Sequence, residues 1–270
     1  MSDRPLPSCI ALHGFLGCAE DWTDALVALA RPALPVTLPG HRETASSVLT
    51  TAMRAALMAP PSIDTWADAL ADALRRSGAE ANPVDVMGYS LGGRVGIALA
   101  DRHPALVRRL VLVSTSLGIE RLAAREARSR VDQERALQLA NCDAAHLREW
   151  VLRWYQAPLF TTLAATPITF ADTVDARCRN SATAMAEVVA ALSPGVAPYR
   201  GEWSERTTIP TLWIAGSRDE GYAQRASAAA GRMLRGRVVI VKGGGHALLA
   251  THPVEVGQAA ASWLSRESSA

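Results

Sequence analysis

The chain has 270 residues, 49% of them hydrophobic and 20% charged, and 28 Lys and Arg residues against 26 Asp and Glu residues give a formal net charge of +2. This composition excludes a strongly basic nucleic-acid-binding protein, an acidic disordered chain and a low-complexity sequence, so we expect a folded globular protein that binds no nucleic acid. Lys242 is the only lysine. The arginine bias is typical of a GC-rich genome, although arginine also binds carboxylates in a geometry that lysine does not offer.

The length and the cysteines narrow the class of protein. Because domains usually have ~100–200 residues, this chain is long enough for one large α/β domain or for a core with an insertion. The cysteines are Cys9, Cys18, Cys142 and Cys178, which form no CxxC pair and have no metal-ligand spacing. No stretch approaches the ~20 uninterrupted apolar residues of a membrane span. We therefore expect buried thiols, no bound metal, no stable membrane insertion and a cytoplasmic location.

In the first part of the chain, short apolar runs alternate with amphipathic helical patterns. Predicted strands cover residues 9–12, 35–38, 84–88 and 110–114, and predicted helices cover residues 19–31, 63–76 and 90–100. Ser62 is placed to cap the second of these helices, and Gly78 lies just beyond its end. This alternation predicts a mostly parallel sheet that is flanked by helices on both faces.

The pattern changes from about Leu117 to Leu192, where arginine-rich and alanine-rich helical segments occur without obvious strands. Strand signals return at residues 211–215 and 237–241, and a closing helix is predicted at residues 254–264. We therefore predict an α/β core with an inserted helical cap. The core would comprise residues 1–116 and 195–270, and the cap residues 117–194.

A G-x-S-x-G run, Gly88 to Gly92, lies between a predicted strand and a predicted helix. This is the sequence context of a nucleophile elbow, in which two glycines allow a strained turn that holds a serine above the sheet. The helix N-terminus at this turn favours developing negative charge. The run predicts Ser90 as a catalytic residue.

An acid and a base follow later in the chain, each after a predicted strand. Asp219 lies in a Gly-Ser-Arg-Asp turn, and His246 ends a run of three glycines. Because the carboxyl ends of parallel strands meet at one edge of a sheet, Ser90, Asp219 and His246 are expected to converge as a catalytic triad. The structural alternatives are a turn-capping aspartate and a loop histidine beside flexible glycines.

Two backbone N–H groups are candidates for an oxyanion hole. Phe15 follows His13 and Gly14 at the end of the first predicted strand, and Leu91 follows the serine of the elbow. Loops at these two places commonly supply the two donors that stabilise an oxyanion. His13 itself is expected to brace the loop rather than to take part in the chemistry.

Arg94 and Tyr89 are placed near Ser90 by local geometry. Arg94 lies four residues after Ser90, so both side chains fall on one face of the predicted helix. Tyr89 immediately precedes the serine on the elbow. A solvated helix arginine or a structural ion pair is the alternative interpretation of Arg94.

These motifs resemble those of the α/β-hydrolase superfamily. The matching runs are LHGFLG (12–17), LPGH (38–41), GYSLGGR (88–94), GSRD (216–219) and GGGH (243–246). Within the superfamily, the chain is most similar to the 2-succinyl-6-hydroxy-2,4-cyclohexadiene-1-carboxylate synthases of menaquinone biosynthesis. That closer similarity rests on the arginine of GYSLGGR and on three segments of the predicted cap. The first segment is Gly118–Ile119 with Arg125, Arg128 and Asp132. The second is Trp154 to Phe160, and the third runs from Arg177 through Asn180 to Gly195.

The resemblance implies a lyase that releases pyruvate from a cyclohexene carrying three carboxylates, in a pathway to menaquinone or phylloquinone. The triad would act as a base, and no metal or organic cofactor would be needed. The substrate-binding residues implied are Tyr89, Arg94, Arg125, Trp154 and Arg177. Three anions in a partly dry cavity require charge-assisted partners, a role that suits arginine. The only partner expected is this small-molecule tricarboxylate, with the protein a monomer or small homo-oligomer.

Two other functions remain open at this stage. A carboxylesterase or C–C bond hydrolase would use the same triad on neutral or monoanionic substrates. A non-catalytic binding protein has no need to keep all three triad residues, which counts against it. The chain also departs from the family at the turn after the second strand, where Thr37 replaces an acid and Arg42 a glycine, so that loop is expected to differ in shape.

Overall fold

A computed structural model describes residues 8–43, 47–56 and 60–266. In this part of the chain, six strands form one fully parallel sheet in the order β2-β1-β3-β4-β5-β6. The strands are β1 (Cys9–Leu12), β2 (Leu34–Val36), β3 (Val84–Tyr89), β4 (Val107–Val113), β5 (Thr211–Gly216) and β6 (Gly236–Val241). Each predicted strand is present within a few residues of its expected position, which confirms a parallel sheet.

Helices flank the sheet and fill the interval between β4 and β5. The first group is α1 (Thr23–Leu29), α2 (Val48–Ala56), α3 (Ile63–Arg76) and α4 (Leu91–Arg102). The interval contains α5 (Leu122–Ala140), α6 (Ala144–Tyr155), α7 (Thr161–Ala164), α8 (Pro167–Arg177) and α9 (Ala182–Ala191). The last group is α10 (Gly201–Arg206), α11 (Glu220–Arg232), α12 (Leu248–Thr251) and α13 (Pro253–Arg266). We refer to α5–α9 as the inserted helices.

The extent of a separate cap, residues 117–194, stays a prediction. The two expected core pieces, residues 1–116 and 195–270, include short stretches that lie outside the described residues. Within the described part of the chain, no helix combines the length and the apolar character needed to cross a bilayer.

The sequence placed α3 correctly, but it misjudged the helix in the segment between β1 and β2. The Ser62 side chain accepts a hydrogen bond from the Thr65 N–H at 3.0 Å, and the helix spans the predicted residues. The single helix predicted at residues 19–31 is wrong, because a 3₁₀ turn at Ala19–Trp22 precedes α1. Asp21 explains the tight turn, since its carboxylate accepts from the Cys18 N–H at 3.2 Å and caps the turn.

The two faces of the sheet bury separate apolar layers. Ile10 and Leu12 of β1 pack in the layer that contains the apolar side of α3. Cys9 and Ala11, whose side chains point the other way, pack in the layer that contains α1 and α13. Because β1, β3, β4 and β5 are buried on both faces, their carboxyl ends are held in fixed positions relative to one another, whereas the edge strand β6 is largely exposed.

A buried carboxylate ties the amino ends of β3 and β4 together. Asp85 is fully buried and accepts two hydrogen bonds each from Arg108 and Arg109, at 2.7–2.9 Å, while Arg31 lies 3.6 Å away. Burial opposes ionisation, but these guanidinium groups outweigh it and hold the pKa of Asp85 below its ordinary value. The carboxylate therefore stabilises the fold only while it is charged and paired.

Asp85→Asn is expected to lower the free energy of unfolding by ~3–5 kcal/mol at pH 7, because it removes the charge that pairs with the buried guanidinium of Arg109. The deficit should shrink in acid, since the contribution of a carboxylate with a lowered pKa is present above ~3.9 and lost as the pH falls through its folded-state pKa. Urea denaturation across pH measures both effects. Asp72→Asn, in an exposed pair with Arg75, is the control and should cost less than ~1 kcal/mol. An equal cost for both variants would contradict this account.

Candidate active site

The turn between β3 and α4 has the geometry of a nucleophile elbow. Ser90 adopts φ +51° and ψ −107°, a strained conformation for a residue with a side chain. A Cβ at Gly88 would lie 2.6 Å from the Gly92 carbonyl oxygen, and a Cβ at Gly92 would lie 2.3 Å from the Leu12 carbonyl oxygen. Both glycines of the motif are therefore required by the close approach of neighbouring backbone.

Three strand ends bring a serine, a histidine and an aspartate into one hydrogen-bonded chain. The Ser90 Oγ lies 3.2 Å from His246 Nε2, and His246 Nδ1 lies 2.8 Å from Asp219 Oδ2. His246 and Asp219 are buried. The second Asp219 oxygen accepts from the Tyr222 N–H at the start of α11. This arrangement can remove a proton from the serine hydroxyl and stabilise the resulting imidazolium.

Aromatic rings enclose the histidine. The rings of Tyr222, Phe160 and Tyr89 lie 4.5, 5.7 and 5.8 Å from the His246 ring, measured between centroids. These contacts restrict the imidazole to one orientation and exclude water from its faces. Phe160 belongs to the segment of inserted helices, so the insertion completes the surroundings of the candidate base.

The predicted oxyanion donors lie on two loops that the backbone holds together. The Gly92 N–H donates to the His13 carbonyl oxygen at 3.0 Å, which fixes the start of α4 against the loop after β1. Within the described residues, neither the Phe15 N–H nor the Leu91 N–H has a hydrogen-bond partner. Both N–H groups therefore remain able to bind an oxygen that carries developing negative charge.

His13 orients the peptide that carries the Phe15 N–H. Its Nε2 accepts from the Leu38 N–H at 2.9 Å, so the proton of the neutral ring is on Nδ1, which donates to the Gly14 carbonyl at 2.8 Å. Burial lowers the pKa of His13 to about 3, and the ring is neutral at ordinary pH. Because a trans peptide directs its C=O and N–H oppositely, holding the Gly14 carbonyl fixes the Phe15 N–H. The expectation that His13 braces the loop is confirmed.

Ser90 opens into a cavity of about 730 Å³ between the carboxyl ends of the strands and the inserted helices. Arginines that line it are Arg94, Arg128, Arg177 and Arg225, and carboxylates that line it are Glu20, Asp21, Asp24, Asp132 and Asp172. Glu20, Asp24, Asp172 and Arg225 are exposed, whereas Arg94, Arg128 and Arg177 are partly or fully buried. Arg94 and Arg177 are thus the arginines of this cavity that lie in a poorly hydrated environment.

Arg94 reaches this cavity, as its spacing from Ser90 predicts. Its Nη1 donates to the Leu192 carbonyl oxygen at 2.7 Å. Burial lowers the pKa of Arg94 to about 10, so the side chain stays charged at neutral pH while its hydration is reduced. An anion that enters the cavity can replace the lost hydration.

Arg177 also lines the cavity, and it is already partnered. Its Nη1 lies 2.7 Å from Asp21 Oδ1, and its Nε donates to the Tyr155 hydroxyl at 3.3 Å. Burial disfavours the charged form, but the Asp21 carboxylate outweighs burial and raises the pKa of Arg177. The pair joins the end of α8 to the 3₁₀ turn before α1.

The structure does not bring Arg125 to the cavity wall. Its Nη2 contacts the Val196 carbonyl oxygen at 3.4 Å, so its predicted role in substrate binding rests on the resemblance alone. Arg128, one turn later on α5, does line the cavity. Its Nε donates to the buried Asp132 at 2.6 Å, and the i, i+4 spacing of this pair was a signal in the sequence.

Asp132 leaves net positive charge beside the cavity. Besides Arg128, it accepts from Arg135 Nη1 and from the Ser193 hydroxyl, both at 2.7 Å. One carboxylate therefore faces two guanidinium groups. The buried anion fixes the orientation of Arg128 without cancelling the charge of the group.

Trp154 and Tyr89 both line the cavity with aromatic rings, and their role in substrate binding stays a prediction. The Trp154 ring stacks on Trp150 at 5.4 Å and meets Phe15 edge-on at 5.3 Å. The guanidinium of Arg135 lies 4.9 Å above the same ring. These contacts lock Trp154 in place next to the residue that carries one of the predicted oxyanion donors.

Comparisons with known proteins agree with this architecture. Residues 9–259 match the model of the alpha/beta hydrolase family. The chain is 30% identical over 228 residues to 2-succinyl-6-hydroxy-2,4-cyclohexadiene-1-carboxylate synthase of Yersinia pseudotuberculosis, an alignment that covers 82% of this chain and 75% of that protein.

Solved structures of similar fold include two enzymes. MenH from S. aureus superposes with a TM-score of 0.84 at 24% identity, over 99% of this chain and 97% of that one. A thermophilic esterase from Thermogutta terrifontis superposes with a TM-score of 0.75 at 20% identity, over 97% of this chain and 90% of that one. At these identities the two structures support the fold.

Gly92→Ala tests the elbow geometry. The added Cβ must displace the Leu12 carbonyl, so we expect the reaction of Ser90 with a fluorophosphonate to slow by about 100-fold, the usual cost of losing one oxyanion donor. Gly96→Ala on the same helix is the matched control, because its Cβ would meet only Val86 Cγ1 at 3.4 Å. Inactivation kinetics measure both variants. Equal rates for Gly92→Ala and wild type would show that the backbone contact does not control the serine.

Proposed function

The chain belongs to the alpha/beta hydrolase family, and from this premise we propose that it is a 2-succinyl-6-hydroxy-2,4-cyclohexadiene-1-carboxylate synthase. It would eliminate pyruvate from 2-succinyl-5-enolpyruvyl-6-hydroxy-3-cyclohexene-1-carboxylate in menaquinone or phylloquinone biosynthesis. The observation that carries the proposal is a hydrogen-bonded Ser-His-Asp chain that shares one cavity with Arg94, Arg128 and Arg177. The similarity to the Yersinia synthase over 82% of the chain supports the same activity.

In the proposed mechanism, Ser90 is the base and His246 receives its proton. The serine oxygen removes the ring proton next to the succinyl carbonyl, and the electron pair moves through the ring to break the C–O bond to the enolpyruvyl group. Enolpyruvate leaves and takes up a proton to become pyruvate. Asp219 stabilises the imidazolium that forms during the transfer. No acyl-enzyme intermediate arises.

The N–H groups of Phe15 and Leu91 would stabilise the oxygen of the succinyl carbonyl as it becomes enolate-like. Hydrogen-bond donors that are fixed before the reaction lower the barrier because they need no reorganisation when charge develops. The His13 contacts hold one of these donors in place. All the proposed steps use groups that the chain itself provides.

Three arginines would bind the three substrate carboxylates. Within the described residues, the guanidinium groups of Arg94 and Arg128 each donate one hydrogen bond, and Arg177 has donors beyond those that contact Asp21 and Tyr155. Tyr89 and Trp154 would pack against the ring. The geometry favours Arg128 over Arg125 for this role, because only Arg128 lines the cavity.

The location and the partner follow from the same observations. Cys9, Cys18, Cys142 and Cys178 are all free thiols, which supports a reducing compartment, and we infer that the enzyme acts in the cytoplasm. The proposed partner is the small-molecule tricarboxylate alone.

Release of pyruvate tests the function directly. Wild-type protein should release pyruvate from the enolpyruvyl substrate, measured with a lactate dehydrogenase couple, and Ser90→Ala should reduce the rate to background because the base is removed. Folded wild-type protein that releases no pyruvate but rapidly hydrolyses p-nitrophenyl esters would contradict the proposal. That result would establish a carboxylesterase or C–C bond hydrolase.

Arg128→Ala and Arg125→Ala form a matched pair on one helix. Loss of a charge-assisted hydrogen bond costs ~1.5–3 kcal/mol, so Arg128→Ala should lower kcat/KM by roughly 10- to 100-fold, mainly through KM. Arg125 and the exposed Arg130 do not line the cavity and have no such bond to the substrate to lose, so kcat/KM of Arg125→Ala and Arg130→Ala should stay within about 3-fold of wild type. Steady-state kinetics separate the three variants. A larger loss in Arg125→Ala than in Arg128→Ala would reverse the assignment.

A further inference from the structure

Asn180 follows the last turn of α8, three residues after Arg177, and its side chain reaches from the inserted segment into the core. The residue is 6% exposed. Its amide contacts two separate core loops, one after β1 and one after β2. The mechanism described above makes no use of it.

The orientation of the amide is fixed by what it contacts. Asn180 Oδ1 accepts from the Arg42 N–H at 2.8 Å, and Nδ2 donates to the carbonyl oxygens of Leu16 and Arg177 at 2.9 and 3.1 Å. A backbone N–H only donates and a carbonyl only accepts, so the reverse orientation of the amide would break these bonds. The group is therefore held at both ends, and it joins three chain segments.

Leu16 is the critical contact because of where it lies. It follows Phe15 directly, is 1% exposed and has φ +64°, a left-handed conformation that is strained for leucine. The preceding peptide is held by His13 Nδ1 and by the Gly17 N–H, both on the Gly14 carbonyl. Those two bonds lie within the loop itself. His13 also ties the start of the loop to Leu38 and Gly92, and the bond from Asn180 ties Leu16 to the inserted segment.

We propose that Asn180 is a positioning residue that keeps the Phe15 N–H aimed at the developing oxyanion. It does so by holding the Leu16 carbonyl, and with it the strained Phe15–Leu16 backbone. This inference rests on the oxyanion hole proposed above. Because Asn180 and Arg177 share one turn and are hydrogen-bonded to each other, the segment that would bind a substrate carboxylate also supports the oxyanion hole.

Two substitutions distinguish the hydrogen bond that Asn180 Oδ1 accepts from the hydrogen bonds that Nδ2 donates. Asn180→Asp is nearly isosteric and keeps an acceptor for the Arg42 N–H, but once ionised it has no proton to donate to Leu16. Because burial raises the pKa of a carboxyl group, this variant is compared with wild type at pH ~8–9 as well as at pH 7. Asn180→Ala loses both contacts. Both variants are expected to lower kcat by about 10- to 100-fold, somewhat less than the loss of an oxyanion donor itself, with KM within about 3-fold of wild type. Arg179→Ala, at the exposed neighbouring position, is the control and should retain wild-type kcat.

A fluorophosphonate supplies a readout that does not depend on the tricarboxylate substrate. Its reaction with Ser90 requires the serine, the histidine and the oxyanion donors, so the rate should fall by a similar factor in both Asn180 variants. If the protein releases no pyruvate but this rate still falls, the lyase function fails and the role of Asn180 stands. Thermal denaturation confirms that each variant is folded, and Asn180→Asp carries the test if Asn180→Ala unfolds. An unchanged phosphonylation rate in a folded Asn180→Asp variant, or a loss confined to KM, would overturn the proposal.

Discussion

The site depends on the close approach of the start of α4 to the end of β1. With no side chain at Gly92, the backbone of the nucleophile turn lies against the Leu12 and His13 carbonyls and donates a hydrogen bond to one of them. This contact brings the loop that carries the Phe15 N–H beside Ser90. A methyl group at position 92 would separate them, so the proposed oxyanion donors lie beside Ser90 only because glycine occupies this position.

The remaining parts of the site are held to that unit by polar contacts from distant segments. Arg177 and Asn180 at the end of α8 contact Asp21 and the Leu16 carbonyl, both in or beside the loop after β1. On the opposite side, Arg94 of α4 contacts the Leu192 carbonyl after α9. The inserted helices are therefore tied to the same two core elements that carry Ser90 and the Phe15 and Leu91 N–H groups.

The fold and the hydrogen-bonded arrangement of Ser90, His246 and Asp219 were predictable because their signals are local. A few neighbouring residues are enough to identify a G-x-S-x-G turn between a strand and a helix. The same holds for an acid and a histidine that follow later strands. Parallel strands then require that these ends meet. The Ser62 cap and the apolar side of α3 were predictable for the same reason.

The features of the site that the sequence did not predict depend on contacts between segments that are distant in the chain. The choice between Arg125 and Arg128 is decided by the rotation of α5, which the buried Asp132 and Ser193 fix together. The Asp21 partner of Arg177 is 156 residues away. Asn180 was visible as part of a motif, but its contact with the strained Leu16 requires the folded chain. α11 was also missed, because the residues that it buries are alanines, Ala226, Ala229 and Ala230, which give only a weak apolar signal in the sequence.

A crystal structure of the Ser90→Ala variant with the enolpyruvyl tricarboxylate bound would test the central claim most directly. The account predicts that the succinyl carbonyl oxygen lies within hydrogen-bond distance of the Phe15 and Leu91 N–H groups, with the ring carbon to be deprotonated next to position 90. It also predicts that the three carboxylates contact Arg94, Arg128 and Arg177. A substrate whose carboxylates face solvent, or whose carbonyl lies away from the two N–H groups, would contradict it.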